Sequence, residues 1–537
     1  MKLKPSILLI AVTLLTGLTL SVRTLAQELR RDHDQQHRYR FIELVTFGGP
    51  VSYLANDPSG GGAADGILNR HGRVVSAADT SILDPNYPNT CLVCPFPVDP
   101  FIFHAFKWCD GVLTDLGALP GINSSFANWI SDNGLVAGFF ENGAIDPLLG
   151  VPEVNAVLWK ERQIINLGTL EGGFESNAFA VNSRGQVAGV FVNTVPDSFS
   201  PFGLQVRAFI WETGTMADIG TLGGPDASAI FLNEHRQVVG FSYINSKPNP
   251  PIGFGPCASP NGLPTQDPFL WEEGKMTDLG TLGGTCGVPN AIDNRGEVVG
   301  LSNVAGDQSF HPFLWTRAGG MKDLGTCGGS SGQANWINES GEVVGWATNQ
   351  DDQALFAFLW RQGVLTKLRP VKGEACGAAL GINSRSHVVG LSAKTCILDA
   401  ADRHATLWEN GRVIDLNTFL PAGADLKQLT DAFNINDRGE IAGLGTPAGC
   451  DDEFACGRAF VLVPCDDDHS DQEGCQGQGE TSAAFQSSSV GVSRNSVNIP
   501  GVGLAAKEIA NRMRLQFGRN LGFRAWPVDK GSRRQPK

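Results

Sequence analysis

The sequence predicts an all-β fold, a β-propeller of eight four-stranded blades closed by pairing of its N- and C-terminal strands. Three observations predict it: the composition, an internal repeat and the way the repeat begins and ends. The chain has 537 residues, of which 42% are hydrophobic, only 18% are charged and 66 are Gly. Such a chain can bury a large core, and its wealth of Val, Ile, Thr, Phe and Gly favours strands and tight turns over helices.

Three motifs recur in fixed order, at intervals of about 45–60 residues, which is the range of propeller repeats. The first is an Asn-x-x-Gly turn before an apolar run, and its first position is held by Asn69, Ser131, Asn182, Asn233, Asp293, Asn338, Asn383 and Asn436. The second is Ala-Phe-Leu-Trp or a variant, with Trp108, Trp159, Trp211, Trp271, Trp315, Trp360, Trp408 and, in the eighth place, Leu462. The third is Asp-Leu-Gly-Thr-Leu-Gly-Gly or a near copy, as at 218–224, 278–284 and 323–329.

Each repeat reads as four short strands. In one example, strand three covers 312–315, strand four 321–324, the next strand one 334–338 and the next strand two 342–345. The Asn side chain can bond its own backbone in the turn, and the Gly supplies a positive φ. Four-stranded units of this length predict a propeller. Seven or nine blades remain open if a divergent unit, such as 361–393, is not a proper blade.

The two ends of the repeat predict ring closure. The chain enters on a fourth strand, Glu43 to Phe47, with no strands one to three before it, and leaves on a third strand, 459–462, with no strand four after it. Pairing of the two completes the last blade and removes an open sheet edge.

The glycine-rich motif also invites a phosphate-loop interpretation. A phosphate loop opens onto a helix N-terminus, where amides and the helix dipole face the anion. Strand residues follow the glycines here, as at Gly283-Gly284, and no Lys stands at the required place. The motif therefore predicts an outer strand and a linker between blades.

The His-Ala-Phe at 104–106, the Ala-Phe-Leu-Trp strands, the glycine-rich motif and the Asn-x-x-Gly turns together resemble the HAF-type extracellular repeat proteins of bacteria. The resemblance covers roughly 41–464. It implies export and a repeat architecture, and it implies no established activity. The chain departs from the pattern because His recurs at the His104 position only in His311 and His404.

The N-terminus predicts export. Lys2 and Lys4 precede an apolar run from Ile7 to Val22, and Ala26 marks a signal-peptide cleavage site, so 1–26 is a signal peptide. An uncleaved membrane anchor is the alternative. The expected location is extracellular or periplasmic. After the propeller, 465–502 is an acidic and then Ser-rich linker, and 503–537 is a basic tail with a candidate short helix for contact with an anionic surface.

The chain has 12 Cys, and an even number in an exported protein suggests disulfides. In an up-and-down blade, the loops between strands two and three share a face with the linkers between blades. This parity predicts Cys257–Cys286 and Cys376–Cys396. Short separations add Cys450–Cys456, Cys465–Cys475 and Cys91–Cys94, the last as a structural pair in preference to a redox or zinc site.

The sequence contains few residue patterns that are typical of catalytic or metal-binding sites. It contains no recognisable hydrolase, metalloprotease or EF-hand motif, so no catalytic residue, metal or cofactor is predicted. The spacing supplies no partner for the three His residues, and the strand-four carboxylates, such as Asp115 and Asp323, are expected in solvated or turn-bonding roles. No basic face interleaved with aromatics is present, so nucleic acid is not an expected partner.

A binding role is favoured over catalysis. The loops between strands two and three are longest in the first four units, and long loops on a rigid scaffold often carry function. Their aromatics are candidate contacts with an extracellular glycan or protein: Tyr87, Phe96, Phe199, Phe202, Tyr243 and Phe254. The alternatives are packing of these rings within the loops, a polysaccharide lyase or hydrolase on the same scaffold, and a structural cell-surface protein.

Overall fold

The computed structural model describes residues 39–54, 66–87, 91, 100–119, 123–170, 172–200, 202–253, 257–396, 402–450 and 456–465. The chain divides into two units. The first, Met1–Arg40 with Val463–Ala483, is described only at the outer ends of two strands. The second, Phe41–Leu462 with Ala484–Lys537, contains all the remaining strands.

The described residues form 32 strands in eight four-stranded sets, numbered here in chain order. Set 1 comprises β2 (Gly48–Ser52), β3 (Val74–Leu83), β4 (Phe101–Cys109) and β5 (Val112–Asp115). Set 2 comprises β6 (Ser125–Ile130), β7 (Val136–Ile145), β8 (Pro152–Lys160) and β9 (Gln163–Gly168). Set 3 comprises β10 (Glu175–Val181), β11 (Val187–Pro196), β12 (Leu204–Glu212) and β13 (Thr215–Asp218). Set 4 comprises β14 (Ala227–Leu232), β15 (Val238–Tyr243), β16 (Gln266–Glu272) and β17 (Lys275–Asp278).

The second half repeats the plan. Set 5 comprises β18 (Gly283–Ile292), β19 (Val298–Val304), β20 (Phe310–Thr316) and β21 (Gly320–Asp323). Set 6 comprises β22 (Gly328–Ile337), β23 (Val343–Asn349), β24 (Leu355–Arg361) and β25 (Val364–Lys367). Set 7 comprises β26 (Cys376–Ile382), β27 (Val388–Ala393), β28 (Arg403–Glu409) and β29 (Arg412–Asp415), and a short 3₁₀ turn (Leu416–Phe419) follows it. Set 8 comprises β30 (Leu426–Ile435), β31 (Ile441–Pro447), β32 (Arg458–Pro464) and β1 (Tyr39–Glu43).

Each set is an antiparallel meander, and together they make an all-β propeller. Sets 4, 5 and 6 are joined into one twelve-stranded sheet by single parallel bridges, Gln266 to Cys286 and Phe310 to Ser331. Because three sets share that sheet, the number of separate blades stays a prediction. The all-β propeller fold predicted from the sequence is confirmed.

The predicted closure is present, with one correction. The strand that completes set 8 is Tyr39–Glu43, not Glu43 to Phe47, and it pairs with β32. A Ser hydroxyl bonds the two sets that meet at the closure, as it does between two sets elsewhere in the chain. Ser52 Oγ accepts from the amide of Ala459 at 2.9 Å and donates to the carbonyl of Leu44 at 3.0 Å. In the same way, Ser125 Oγ links set 2 to the preceding set, where it accepts from the amide of Ala105 at 2.9 Å.

The Asn that opens each turn between strands one and two bonds in two directions. Its Oδ1 accepts backbone amides two and four residues ahead, as Asn383 does from Arg385 and His387, both at 3.0 Å. Its Nδ2 donates to the carbonyl of the equivalent residue in the next set. These donations have distances of 2.9–3.2 Å and join Asn69 to Ser131, Asn182 to Asn233, Asn233 to Asp293, Asn338 to Asn383, Asn383 to Asn436 and, across the closure, Asn436 to Asn69.

Two turns begin with a residue that has no side-chain amide, Ser131 and Asp293. In each of them the side-chain amide of a nearby Asn makes the bond to the next set. In the Ser131 turn, Asn133 Nδ2 donates to the carbonyl of Ser183 at 2.6 Å. In the Asp293 turn, Asn294 Nδ2 donates to Glu339 Oε1 at 2.7 Å. All eight junctions are therefore bridged, and the hydrogen bonds form an unbroken ring of turns.

The core is aromatic and aliphatic. The Phe of the Ala-Phe-Leu-Trp strands is completely buried, as in Phe209, Phe313 and Phe358. The first strands of neighbouring sets contact one another. From alternate sets they bring together Trp129, Phe231 and Trp336, whose ring centroids lie 6.0 and 6.5 Å apart in edge-on contacts. These rings fill the space between the first strands.

Disulfides add covalent links. The structure contains Cys257–Cys286, Cys376–Cys396 and Cys450–Cys456, the same pairs that strand parity and short separation predict. Cys91 and Cys465 are also disulfide-bonded, while Cys94 and Cys475, their predicted partners, lie outside the described residues. Among the described cysteines, Cys109 and Cys327 are free.

Replacing Asn383 with Asp tests the ring of turns. The variant keeps the acceptor oxygen but loses the Nδ2 donor to the buried turn carbonyl of Asn436, which lies 3.0 Å away. We expect Asn383→Asp to lower the free energy of unfolding by about 1–3 kcal/mol, measured by chemical denaturation. Asn410→Asp, at an exposed turn between strands three and four, is the control. Equal stabilities of the two variants would show that the ring contributes nothing.

Candidate binding face

Sets 1, 2 and 3 carry middle hairpins that are longer than the others. Strands β3, β7 and β11 have 10 residues each. Their counterparts β15, β19, β23, β27 and β31 have 6 or 7. At ~3.3 Å per residue the difference adds about 10 Å of strand. The three hairpins therefore project on the face that carries the loops between strands two and three.

The three hairpins end alike. An Asp follows the second strand at the same distance in each case, at Asp84, Asp146 and Asp197. Its Oδ1 accepts the backbone amide two residues ahead, at 2.7 Å from Asn86, 2.6 Å from Leu148 and 2.9 Å from Phe199. These side-chain-to-backbone turns close the hairpins with a defined geometry.

The ends of the hairpins expose apolar side chains. We call six of them the hairpin tips, and they are between 41% and 65% exposed: Ile82, Leu83, Tyr87, Ile145, Leu148 and Val195. The other large hydrophobic residues that are comparably exposed in the described part of the chain are Val45, Val112 and Val364. Six apolar residues on one face of three successive sets are typical of an interaction surface.

A buried or part-buried carboxyl of the next set lies near each hairpin Asp. The pairs are Asp84 with Glu141, Asp146 with Glu175, and Asp197 with Asp226. The second member of each pair accepts one backbone amide at 2.9 Å, from Ser124, Val154 and Val206 respectively. Glu141 Oε1, Glu175 Oε1 and Asp197 Oδ2 are buried without a hydrogen-bond partner. We call these three contacts the carboxyl pairs.

Burial sets the ionisation of the carboxyl pairs. Desolvation raises the pKa of Glu141 to about 7. The charge of Asp84 also raises this pKa, whereas the hydrogen bond from the amide of Ser124 lowers it. Desolvation also raises the pKa of Glu175 to about 9, with Asp146 and Glu153 acting in the same direction. The pKa of Asp226 is raised by burial and by Asp197, while Arg207 opposes the shift. In each pair, burial beside a second carboxyl therefore favours the protonated form of the acid in the next set.

The aromatic residues that the sequence predicts for binding differ in their exposure to solvent. Tyr87 is a hairpin tip, 41% exposed. Tyr243 is buried, with its ring packed edge-on against Phe199 at 6.3 Å, as in the alternative in which these rings pack within the loops. Phe199 and Phe202 are half-buried. Phe96 and Phe254 lie outside the described residues. Periodicity alone could not have found the exposed aliphatic tips, although the common spacing to Asp84, Asp146 and Asp197 is visible in the sequence.

The expectation that the three His residues lack partners is wrong. His104 Nδ1 lies 2.9 Å from Asp115 Oδ2, and His311 Nδ1 lies 2.8 Å from Asp323 Oδ2, because strands three and four run side by side. His404 Nδ1 contacts Glu374 at 2.6 Å, and that bond raises the pKa of His404. In the described structure none of the three rings hydrogen-bonds a Ser, Thr or Cys side chain.

The strand-four carboxylates bond their turns, as the sequence predicts. Oδ1 of Asp115, Asp218 and Asp278 accepts the amide two residues ahead at 2.7 Å. Oδ2 is left for the neighbour on strand three, such as Arg207, which lies 2.8 Å from Asp218. Within the described residues, no group of three or more His, Cys, Asp or Glu side chains is placed to hold a metal ion.

The opposite face, which carries the Asn turns, has an open cleft of about 370 Å³. Arg73, His71 and Arg438 line it together with the free Cys109. The thiol of Cys109 lies 3.3 Å from Asp110, and burial together with that carboxylate raises its pKa. A thiol with a raised pKa is a weak nucleophile, so this cleft is a poorer functional candidate than the hairpin tips. None of the helical segments described is long and apolar enough to cross a membrane.

Comparison with known proteins gives weak likenesses. No protein-family model matches the chain, and no curated protein matches it. Among solved structures, the β-propeller domain of the Trilobed protease from Pyrococcus furiosus is similar at 13% identity and a TM-score of 0.33, over 58% of this chain and 90% of that one. The Pyrococcus horikoshii acylaminoacyl peptidase is similar at 13% identity and a TM-score of 0.35, over 74% of this chain and 60% of that one. TolB from Acinetobacter baumannii is similar at 10% identity and a TM-score of 0.26, over 71% of this chain and 94% of that one. Such likenesses say nothing of activity.

The carboxyl pairs make a pH-dependent prediction. A folded-state pKa of about 9 for Glu175 means that its protonated form contributes stability that is fully present below pH 4.5 and is lost as the pH rises through 9. In Glu175→Gln, an amide replaces the proton and can donate to Asp146 at every pH. We expect the variant to unfold at a higher denaturant concentration than the parent at pH 8–9, with a gain of at least about 1 kcal/mol.

Glu273→Gln is the control for this experiment, because Glu273 is exposed at a turn of set 4 and does not act on Glu175. Parallel stability curves for Glu175→Gln and the parent between pH 5 and 9 would rule out the raised pKa of Glu175.

Proposed function

We propose that the protein is an exported interaction module that binds an extracellular partner through the hairpin tips. The observation that carries this proposal is the exposure of six apolar side chains on the projecting hairpins of three successive sets. The ring of turns bonds each set to the next, and Cys257–Cys286 joins set 4 covalently to set 5. The predicted signal peptide and the HAF-type resemblance support export, and three disulfides suit an oxidising compartment.

A protein partner is favoured over a glycan. Sugar rings stack on exposed aromatic faces, whereas five of the six hairpin tips are aliphatic and one, Tyr87, is aromatic. Aliphatic tips gain free energy by burial, at roughly 25 cal/mol per Å² of apolar surface, and a polypeptide partner supplies the matching apolar surface. Tyr87 then serves as an anchor at the edge of a protein contact.

Hydrolysis is the second candidate, and the His–carboxylate contacts are the observation that bears on it. Three such contacts exist, but they stand in sets 1, 5 and 7 and have no hydroxyl or thiol bonded to them among the described residues. A general base works within hydrogen-bond reach of the group that it activates. The contacts of His104 and His311 are better explained as cross-strand links between strands three and four, and that of His404 as a link to Glu374, just before the first strand of set 7.

The proposal is tested with a defined peptide array and a defined glycan array, probed with the full chain. We expect Leu83→Ser and Leu148→Ser each to weaken peptide retention about tenfold, since removal of one buried Leu contact costs at least about 1.4 kcal/mol. Val364→Ser is the matched control, because Val364 is 63% exposed at a turn outside the hairpins.

Retention that survives in both Leu variants would place the binding surface elsewhere. Turnover of ester, peptide or glycosidic substrates by the parent, lost in His104→Ala, His311→Ala or His404→Ala, would support the hydrolase instead.

A further inference from the structure

One pair of side chains recurs at the outer edge of the sets. The residue just before the Ala-Phe-Leu-Trp motif on strand three lies beside a residue near the end of strand four, and we call the two the outer pair. In seven sets the outer pair is complementary, through an ion pair, a hydrogen bond or a cation over a ring. These seven are His104–Asp115, Asn155–Asn166, Arg207–Asp218, His311–Asp323, Phe356–Lys367, His404–Asp415 and Arg458–Glu43.

Set 4 departs from this pattern. Its outer pair is Asp267 and Asp278, two acids whose side chains are within hydrogen-bond reach of each other. Asp267 is 7% exposed, and its Oδ1 is buried with no hydrogen-bond partner. Among the residues that the structure describes, no Lys, Arg or His forms an ion pair with either carboxyl. Set 4 therefore has a second acid where the outer pairs of six other sets contain a His, Arg or Lys.

The backbone holds both carboxyls in place. Asp278 Oδ1 accepts the amide of Gly280 at 2.7 Å, which leaves Oδ2 for a neighbour on strand three. Next to Asp267, Gln266 is bridged to the disulfide-bonded Cys286 of the following set. Asp278 is exposed whereas Asp267 is buried, so the outer pair of set 4 is open to solvent on one side.

Two adjacent carboxylates repel each other unless a positive charge or a proton lies between them. Burial raises the pKa of Asp267, and the charge of Asp278 acts in the same direction. A divalent cation can contact both carboxylates at once and remove their repulsion. The ligands are oxygens without nitrogen or sulfur, which disfavours zinc. Ca²⁺ accepts carboxylates and waters in a flexible geometry, whereas Mg²⁺ demands a near-ideal octahedron, so Ca²⁺ fits best.

We propose that Asp267 and Asp278 bind one Ca²⁺ ion at the outer edge of set 4, where the ion replaces the cationic side chain that other sets place there. Two carboxylates completed by water give an affinity of about 0.1–1 mM, the range of extracellular calcium modules. The site stands apart from the hairpin tips, and it does not depend on the function proposed for them.

Chemical denaturation of the full chain, with its disulfides intact, tests this proposal at pH 8 in about 10 mM CaCl₂ and in EDTA. An ion that binds only the folded state lowers the unfolding constant by the factor 1 + [Ca²⁺]/Kd, so we expect Ca²⁺ to lower that constant for the parent about tenfold or more. Asp267→Asn should fold but lose this response, because Asn155 stands at the same position in set 2. Glu273→Gln, which removes the same charge from an exposed turn of set 4, should respond like the parent.

A second variant, Asp267→Arg, supplies the cation from the chain itself and reproduces the outer pair of set 3, in which Arg207 lies 2.8 Å from Asp218. The guanidinium is charged at every pH of the experiment. We expect this variant in EDTA to match the stability of the Ca²⁺-loaded parent, and its stability should not change when Ca²⁺ is added.

An equal Ca²⁺ response in the parent and in Asp267→Asn would overturn the proposal. So would an equal response of the parent to NaCl at the same ionic strength, because screening would then explain it. A parent that does not respond to Ca²⁺ would overturn it as well, and a higher stability of Asp267→Asn in EDTA would then show that the outer pair of set 4 holds only a proton.

Discussion

The side-chain amide of one Asn per repeat is the interaction on which the architecture depends. A propeller places sets of strands around an axis, and each set needs a specific reason to keep its angle to the next. Here Oδ1 of the Asn fixes its own turn, while Nδ2 fixes the distance to the neighbouring turn, as in Asn383 and Asn436. One side chain therefore determines both local conformation and assembly. Where the first residue of the turn has no side-chain amide, Asn133 and Asn294 donate across the junction instead, so every junction has a bridge.

This arrangement divides the molecule into a constrained face and a free one. The face with the Asn turns must keep short loops of one geometry, because every turn bonds the next. The loops between strands two and three have no part in that ring, and their lengths differ from set to set. The cross-links on the free face, Cys257–Cys286 and Cys376–Cys396, occur in sets 4, 5 and 7, away from the three projecting hairpins. Variation is therefore concentrated where it does not disturb assembly, and binding surfaces evolve most easily on such loops.

Much of the fold was predictable because it follows from local patterns. The Asn turns, the four-strand repeat, the closure and three disulfides depend on spacing and parity, which the sequence displays. The His–carboxylate contacts and the carboxyl pairs were missed because they depend on register. Phe106 lies opposite Asp115, and that register alone brings His104 within 2.9 Å of the carboxylate. The burial of Tyr243 was not predictable for a related reason, since it depends on the packing of its ring against Phe199 of the preceding set.

The carboxyl pairs make the stability of the hairpin contacts depend on pH. Burying Glu141, Glu175 and Asp226 beside further carboxyls disfavours their ionised forms, so these contacts reduce stability near neutral pH in comparison with a neutral amide. A scaffold with an aliphatic or amide contact at the same place would hold the hairpins more tightly at every pH. With the carboxyl pairs, the hairpins are held most firmly when the raised-pKa carboxyl of each pair retains its proton. Proton loss therefore weakens the three junctions that lie beneath the exposed apolar side chains.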